Sequence, residues 1–170
     1  SIPNMIVSAP MNAVELRNLM YTAQLEKNNK PFSIRYPRGT SAVVDWKKPL
    51  EEISIGKARI ISEGTDVAVL SIGHIGNTVA AAVSNLAKEK ISVMHCDMRF
   101  VSPLDTDLLH FVFKNFRKIV TVEDGILKGG FGSAVIEFMC DNVYSADVRR
   151  LGIPDYFVEQ GSQEELFREC

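Results

Sequence analysis

The residues of this sequence that are best suited to chemistry are two arginines in the stretch RYPRG, residues 35–39. They follow a β-rich run, and Pro37 restricts the backbone between them. A guanidinium group suits phosphate or carboxylate because it presents a rigid fork of N–H donors. Arg35 and Arg38 would face opposite sides of an extended chain, so the spacing lets at most one of them reach a given ligand. A pair of surface arginines without a ligand explains the spacing equally well.

A second candidate is the segment TVEDGILKGGFGSAVIE, residues 121–137, in which a glycine-rich turn lies between a strand and a helix. Such a turn frees backbone N–H groups for an anion. However, Phe131 stands where a phosphate-binding loop needs lysine, and Val135 stands where a dinucleotide fingerprint needs a small residue. We therefore expect an exposed Phe131 and close packing against another domain or subunit instead of nucleotide binding. The residues assigned to this packing are Gly129, Gly130, Phe131 and Gly132.

The histidines indicate no strong site. His74 lies in the strand-to-helix turn GHIGNTV, where it could bind an anion or titrate near neutral pH, although an ordinary loop histidine is favoured. His95 lies inside an apolar strand and is interpreted as a hydrogen-bonded core group. Because no carboxylate stands at ligand spacing from the histidines, no metal site is expected.

The acidic residues are explained by structural roles. Asp97 and Arg99 point to the same side of a predicted strand, which favours a structural ion pair. Asp105 is interpreted as a helix cap and Asp124 as a polar loop group, and neither they nor Glu123 are assigned to acid–base catalysis.

Length and composition exclude several classes of protein. The chain has 170 residues, of which 46% are hydrophobic and 24% charged, with a net charge of −2. From the sequence we expect no nucleic-acid-binding face, no secretory signal and no membrane span, because no apolar run approaches the ~18 residues that a span needs. Three cysteines without a disulfide or zinc pattern fit the cytosol, and Cys96 and Cys140 are interpreted as small core residues. A start at SIPNM and an end within a helical pattern favour a fragment of a longer protein.

Strands alternate with helices along the chain, which predicts a parallel sheet layered by helices. Residues 1–40 form a strand–helix–strand unit, with Asn12 as the helix N-cap, and residues 41–52 are interpreted as a linker. In the following unit, the first strand at about 54–62 is joined to the next by only a few residues. Because a parallel crossover needs about a dozen residues or more, this first strand is predicted to be antiparallel to the others. Further helices are predicted to start at Asn77, Asp105, Ser133 and Ser162.

A set of short motifs occurs in a fixed order along the chain. They are P-N-M at 3–5, A-P at 9–10, E-L at 15–16, I-R-Y-P-R-G at 34–39, I-G-K at 55–57, R-F-V-x-P-L-D at 99–105, T-V-E-D-G at 121–125, G-G-F-G-S-A-V at 129–135 and G-x-P-D-x-F at 152–157. Each motif is weak alone, but the ordered set resembles the 1-deoxy-D-xylulose-5-phosphate synthase family of the transketolase superfamily. The resemblance covers essentially the whole chain.

The resemblance implies a fold and a domain organisation. Residues 1–40 would be the tail of a pyrimidine-binding domain, 41–52 a linker, and 53–170 a transketolase C-terminal domain with a truncated last helix. The fold would be a three-layer α/β/α sandwich around a five-stranded mixed sheet whose first strand, at about 54–62, is antiparallel. This agrees with the argument from the short connection.

The resemblance also implies a transferase reaction. The family condenses pyruvate with glyceraldehyde 3-phosphate, with loss of CO₂, using thiamine diphosphate and Mg²⁺ in a cytoplasmic homodimer, and the product leads to isoprenoids, thiamine and pyridoxal. Its G-D-G…N motif and its activating glutamate would lie upstream of Ser1. We therefore expect an inactive chain without catalytic residues, metal ligands or bound cofactor. Of the residues present, Arg38 matches the position that holds the acceptor phosphate, and Arg35 is the second candidate.

The sequence departs from the family pattern at two places, and two other functions stay open. Residues 12–14 and Gln160 stand where the family often has acidic residues and histidine, respectively. One alternative is a free-standing module that binds an anion or nucleotide at turns 73–78 and 125–133. The other is a scaffold that binds a different protein, as E1 β chains do.

Overall fold

The computed structural model describes residues 2–39, 47–162 and 165–166. Within these ranges the chain forms eight strands and four helices. In chain order they are β1 Ile6–Ser8, α1 Ala13–Ala23, β2 Phe32–Ile34, β3 Arg59–Ser62, β4 Val67–Ile72, α2 Gly76–Lys88, β5 Val93–Asp97, β6 Phe100–Ser102, α3 Thr106–Asn115, β7 Lys118–Ile126, α4 Phe131–Asp141 and β8 Asp147–Ile153. None of the helices in these ranges has the length and apolar character that a bilayer crossing requires.

The larger sheet has five strands in the order β3-β5-β4-β7-β8. Strands β5, β4, β7 and β8 are parallel, whereas β3 pairs with β5 in the antiparallel direction, so the predicted direction of the first strand is confirmed. Its predicted start near residue 54 is wrong. Gly56 has a φ of 73° and the N–H of Lys57 donates to the carbonyl of Ser54, so a turn precedes the strand, which begins at Arg59.

Side chains that alternate along the central strand β4 separate the two helical layers. Ala68, Leu70 and Ile72 lie in one buried cluster with residues of α3 and α4, whereas Val67 and Val69 pack with α2. Successive side chains of a strand point to opposite faces of the sheet, so helices cover both faces. This is the predicted three-layer α/β/α sandwich.

The smaller sheet joins the first unit of the chain to the second. Its order is β2-β1-β6, with β1 parallel to β2 and antiparallel to β6. The sequence did not predict β6, which belongs to the second unit but completes the sheet of the first. Phe100 of β6 is fully buried with Ile6 and Leu19, so the two units also share an apolar core.

The predicted helix starts are partly correct. Asn12 and Asp105 accept hydrogen bonds from backbone N–H groups at the starts of α1 and α3, as predicted for caps. Asn77 does not cap α2, which begins one residue earlier, because its amide donates to the carbonyl of Met11 instead. Ser133 is likewise not the start of α4, since the helix begins at Phe131 after Gly130.

Two further predictions concern the last helix and the cysteines. Ser162 and Glu165 exchange the hydrogen bonds of a capping box, and residues 165 and 166 are helical. Cys96 is buried as predicted, and burial raises the pKa of its thiol to about 12. The prediction for Cys140 is wrong, because it lies on the exposed side of α4.

Candidate functional site

Three stretches that the sequence singled out meet at one edge of the larger sheet. His74 lies two residues after the end of β4, and Asp124 lies near the end of β7, the parallel neighbour of β4. Arg35 follows β2, and its backbone N–H donates to the carbonyl of Ser8 in β1. The Oδ2 atom of Asp124 lies 3.6 Å from Nη2 of Arg35 and 3.6 Å from Nε2 of His74. These three residues are called the Arg35 cluster.

The Arg35 cluster is open to solvent on the arginine side. The Arg35 side chain is 57% exposed, against 22% for Asp124 and 17% for His74. Burial lowers the pKa of His74, the Arg35 guanidinium lowers it further, and Asp124 partly opposes both effects. His74 is therefore mainly neutral at neutral pH, which leaves Arg35 as the cation of the cluster.

Arg38 is placed differently from Arg35. It is exposed, and the chain bends at residues 38 and 39. Within the described ranges Arg38 makes no ion pair and no side-chain hydrogen bond. Both arginine side chains are exposed, so each of them is accessible from solvent.

The glycine-rich turn is closed by a carboxylate of the protein itself. The backbone N–H groups of Phe131 and Gly132 donate to the two carboxylate oxygens of Glu123, each at 2.8 Å. Glu123 is buried, and its charge lies at the positive end of the α4 dipole. A Cβ atom on Gly130 would lie 2.3 Å from Oε2 of Glu123, so this position requires glycine. The anion position of the turn is thus occupied by Glu123, a role that the sequence pattern did not predict.

The expectation that Phe131 is exposed is wrong. Only 1% of its surface is accessible, and it packs in the core cluster with Leu109, Val112 and Val135. It is the first residue of α4, and the turn before it directs the ring towards α3. Of the four residues assigned to packing against another domain, Gly129 is exposed, and its φ of 71° suits glycine.

A second charged cluster lies where α1 meets the larger sheet, and it is called the Glu15 cluster. Oε1 of Glu15 lies 2.9 Å from Nη2 of Arg99 and 3.1 Å from Nη2 of Arg59. Nη2 of Arg59 also lies 3.1 Å from Oδ2 of Asp97. The predicted ion pair between Asp97 and Arg99 is therefore wrong: Asp97 pairs with Arg59, and Arg99 pairs with Glu15. Arg99 donates to the Asp97 carboxylate through its backbone N–H, whereas its side chain pairs with Glu15; the residue has a φ of 58°.

The Glu15 cluster holds a carboxyl group with an unusual proton affinity. Asp97 is fully buried, and burial, reinforced by the neighbouring Glu15 carboxylate, raises its pKa from 3.8 to about 7. The guanidinium groups of Arg59 and Arg99 oppose this shift but do not cancel it. At neutral pH the Asp97 carboxyl group is therefore only partly ionised.

His95 is buried as predicted, but only one of its ring nitrogens has a partner. Nε2 lies 2.8 Å from Oγ of Ser71, whereas Nδ1 has no hydrogen-bond partner among the described residues. Burial lowers the pKa of His95, and the nearby Arg59 lowers it further. A neutral imidazole in the core is consistent with a structural role.

Sequence comparison shows similarity over nearly the whole chain. Residues 56–170 match the family model described as "Transketolase, C-terminal domain". The chain is 65% identical over 169 residues to a 1-deoxy-D-xylulose-5-phosphate synthase of Cytophaga hutchinsonii, a match that covers 99% of the chain and 27% of that protein. It is 54% identical over 170 residues to the Bacteroides fragilis protein of the same name, covering 99% of the chain and 26% of the relative. The chain thus spans about a quarter of the length of these curated relatives.

Structure comparison gives the same result for the fold. A solved structure described as "Split gene transketolase, inactive beta4 tetramer" is 29% identical with a TM-score of 0.85, over 99% of this chain and 54% of that one. A transketolase from Campylobacter jejuni is 16% identical with a TM-score of 0.66, over 98% of this chain and 24% of that one, which is a likeness of fold alone.

Proposed function

Because the chain belongs to the family of the transketolase C-terminal domain, we propose that it is the C-terminal part of a 1-deoxy-D-xylulose-5-phosphate synthase. The observation that carries this proposal is the 65% identity over 169 residues to the Cytophaga hutchinsonii synthase. The match runs through both units of the chain, including the RYPRG stretch, and so extends beyond the domain that the family model covers.

The proposed reaction joins pyruvate to glyceraldehyde 3-phosphate and releases CO₂. The product, 1-deoxy-D-xylulose 5-phosphate, is a precursor of isoprenoids, thiamine and pyridoxal. We place the enzyme in the cytoplasm as a homodimer. One substrate carries a carboxylate and the other a phosphate, and both groups suit arginine side chains at an exposed edge.

The family's cofactors, thiamine diphosphate and Mg²⁺, do not fit the described residues of this chain. Residues 2–39, 47–162 and 165–166 contain no group of three or more His, Cys, Asp or Glu side chains that could hold a metal ion. The N–H groups of α4, which could otherwise receive a diphosphate, already bind Glu123. We therefore assign both cofactors to the remainder of the enzyme and expect neither to bind this chain alone.

The contribution of this chain to the reaction is to bind the phosphate of glyceraldehyde 3-phosphate. We assign this role first to Arg38 and second to Arg35. The exposure of both side chains supports the assignment, as does the absence of a partner for Arg38 in the described part of the chain. A phosphate dianion would give these guanidinium groups charge-assisted hydrogen bonds.

The second proposed contribution is packing against other domains and the partner subunit. The glycine turn, residues 129–132, is assigned to this role through its exposed side. The buried side chain of Phe131 would support the turn from the core. Exposed apolar side chains along the neighbouring edge of the sheet support such an interface. They are Ile126, Leu151, Tyr156 and Phe157. Aromatic side chains such as Tyr156 and Phe157 are enriched at protein–protein interfaces.

An activity assay with two matched proteins tests the proposed function. The full natural polypeptide that contains this sequence, loaded with thiamine diphosphate and Mg²⁺, should form 1-deoxy-D-xylulose 5-phosphate from pyruvate and glyceraldehyde 3-phosphate. The 170-residue chain under the same conditions should form none. A natural polypeptide that contains the segment but makes no product would overturn the proposal.

A scaffold is the second candidate function, and one comparison favours it. The similar split-gene transketolase chain is described as an inactive β4 tetramer, so a related chain assembles with copies of itself. If this sequence likewise came from a split gene, its partner would be a separate chain that carries the cofactor site. The intact mass of the protein from its source cells decides between the two: a mass near 18.9 kDa favours the scaffold, and a mass several-fold larger favours the single-chain synthase.

A further inference from the structure

We propose that Asp124 is a positioning residue, whose carboxylate orients the Arg35 guanidinium towards the phosphate of the acceptor substrate. The inference rests on the proposed function, because it assumes that Arg35 contacts this phosphate. Asp124 itself would not touch the substrate. It would determine where the arginine lies when the substrate arrives.

The first argument is the rigidity of the element that carries Asp124. Strand β7 lies between β4 and β8; it pairs with β4 as far as Glu123, and its pairing with β8 is irregular between Val122 and Ile126. The preceding residue, Glu123, is held by the N–H groups of Phe131 and Gly132. Asp124 thus directly follows a residue that is held by strand pairing and by its own carboxylate, whereas Arg35 lies on a connecting segment after the three-residue strand β2. A fixed carboxylate can define the direction of a long, mobile side chain, and a fixed direction lowers the entropy lost on binding.

The second argument is the geometry of the contact. The 3.6 Å between Oδ2 of Asp124 and Nη2 of Arg35 is an ionic contact longer than a hydrogen bond. The guanidinium has five N–H donors, and this contact leaves them available. Because the Arg35 side chain is 57% exposed, a ligand in the solvent can approach it. Asp124 therefore attracts the arginine without occupying the donors that a phosphate would use.

The third argument is the state of His74 on the other side of the same oxygen. Asp124 and Arg35 are charged groups that face His74, and burial together with Arg35 lowers the pKa of His74. A neutral imidazole adds no second positive charge to compete for the carboxylate. The negative charge of Asp124 then acts mainly on Arg35.

Steady-state kinetics of the full enzyme with Asp124→Asn test the inference. We expect KM for glyceraldehyde 3-phosphate to rise about tenfold, since a misplaced charged contact weakens binding by this order. We expect kcat, KM for pyruvate and the activity with unphosphorylated glyceraldehyde to stay within about twofold, because these do not depend on the phosphate. Asp124→Glu should restore most of the lost affinity. The matched control is Asp147→Asn, which removes a carboxylate from an exposed ion pair on β8.

Three outcomes are informative. The inference is wrong if Asp124→Asn and Asp147→Asn have the same KM for glyceraldehyde 3-phosphate. It is also wrong if Asp124→Asn lowers the activity with unphosphorylated glyceraldehyde as much as it lowers the affinity for glyceraldehyde 3-phosphate. If the wild-type enzyme forms no 1-deoxy-D-xylulose 5-phosphate, the proposed function has failed instead. If Asp124→Asn destabilises the protein, a double-mutant cycle with Arg35→Ala tests the inference instead. A residue that acts only through Arg35 has no further effect on KM once Arg35 is removed, so the double variant should have the same KM for glyceraldehyde 3-phosphate as Arg35→Ala.

Discussion

The Glu15 cluster and the Arg35 cluster join the same two units of the chain but differ in burial and distance. In the Glu15 cluster the ion pairs measure 2.9–3.1 Å and the carboxylates of Glu15 and Asp97 are 5% and 0% exposed. In the Arg35 cluster both contacts measure 3.6 Å and the arginine is mostly exposed. Short contacts in a buried site indicate structure, whereas loose contacts at an open edge leave donors free for a ligand.

The difference follows from the elements that carry the charges. Glu15 projects from α1 onto β3 and β5, and the apolar contacts of Phe100 with Ile6 and Leu19 exclude solvent nearby. Arg35 projects from a connecting segment across the open edge of the sheet. We therefore expect substitutions in the Glu15 cluster to change stability and substitutions among the exposed arginines to change substrate affinity.

The largest effect is expected for Glu15→Ala. It leaves the guanidinium groups of Arg59 and Arg99 without their shared carboxylate, and breaking a buried ion pair costs about 3–5 kcal/mol. Urea unfolding should show this loss in the free energy of unfolding. Glu52→Ala is the matched control, because its ion pair with Lys27 is exposed and should contribute below about 1 kcal/mol. Equal losses for the two variants would remove the distinction between the buried and the open cluster.

The pH dependence of stability should report on Asp97. Its pKa is about 7 in the folded protein against 3.8 as the ordinary value, so the folded state holds more protons between these pH values. The contribution of Asp97 to the free energy of unfolding is therefore fully present below about pH 4 and is lost as pH rises through about 7. Denaturation midpoints measured from pH 5 to 8 should fall with rising pH in the wild type. The fall should be smaller in Asp97→Asn, and an unchanged slope would contradict the assignment.

Removal of an exposed arginine should weaken substrate binding without destabilising the fold. For Arg38→Ala in the full enzyme, KM for glyceraldehyde 3-phosphate should rise about 10- to 100-fold, the range for losing a hydrogen bond to a charged group. The melting temperature should stay within about 2 °C, because surface substitutions change stability little. Arg149→Ala, on the exposed edge strand β8, is the control. A normal KM for Arg38→Ala with a raised KM for Arg35→Ala would move the main phosphate contact to Arg35.

The smallest effect is expected at the glycine turn. Glu123→Ala removes the carboxylate that caps α4 and should cost about 1–2 kcal/mol, as for other N-caps. Thermal unfolding with and without ATP also tests the alternative of a nucleotide site. The capping role predicts a lower melting temperature for Glu123→Ala than for the wild type. It also predicts that ATP does not shift the melting temperature of the wild type. A shift that appears in the wild type would favour the binding-module interpretation.

Local patterns were sufficient for the elements but not for every boundary. The caps Asn12 and Asp105 and the antiparallel first strand were predicted correctly, because each depends on residues near one another in the chain. Asn77 and Ser133 were wrong as helix starts, because Asn77 donates to Met11 and the first N–H groups of α4 donate to Glu123. Strand β6 was missed because a three-residue strand has no periodicity to detect, and its pairing with β1 joins residues more than 90 positions apart.

The sequence by itself determined the order of the strands and helices other than β6, the layered fold and the candidate arginines, because periodicity, caps and connection lengths are local properties. Only the tertiary structure decided that Asp124 lies between Arg35 and His74, that Glu123 fills the anion position of the glycine turn, and that Phe131 is buried. These facts depend on which strands become neighbours in the sheet. Sheet order brings distant residues together through the packing of the whole chain, and no local pattern encodes it.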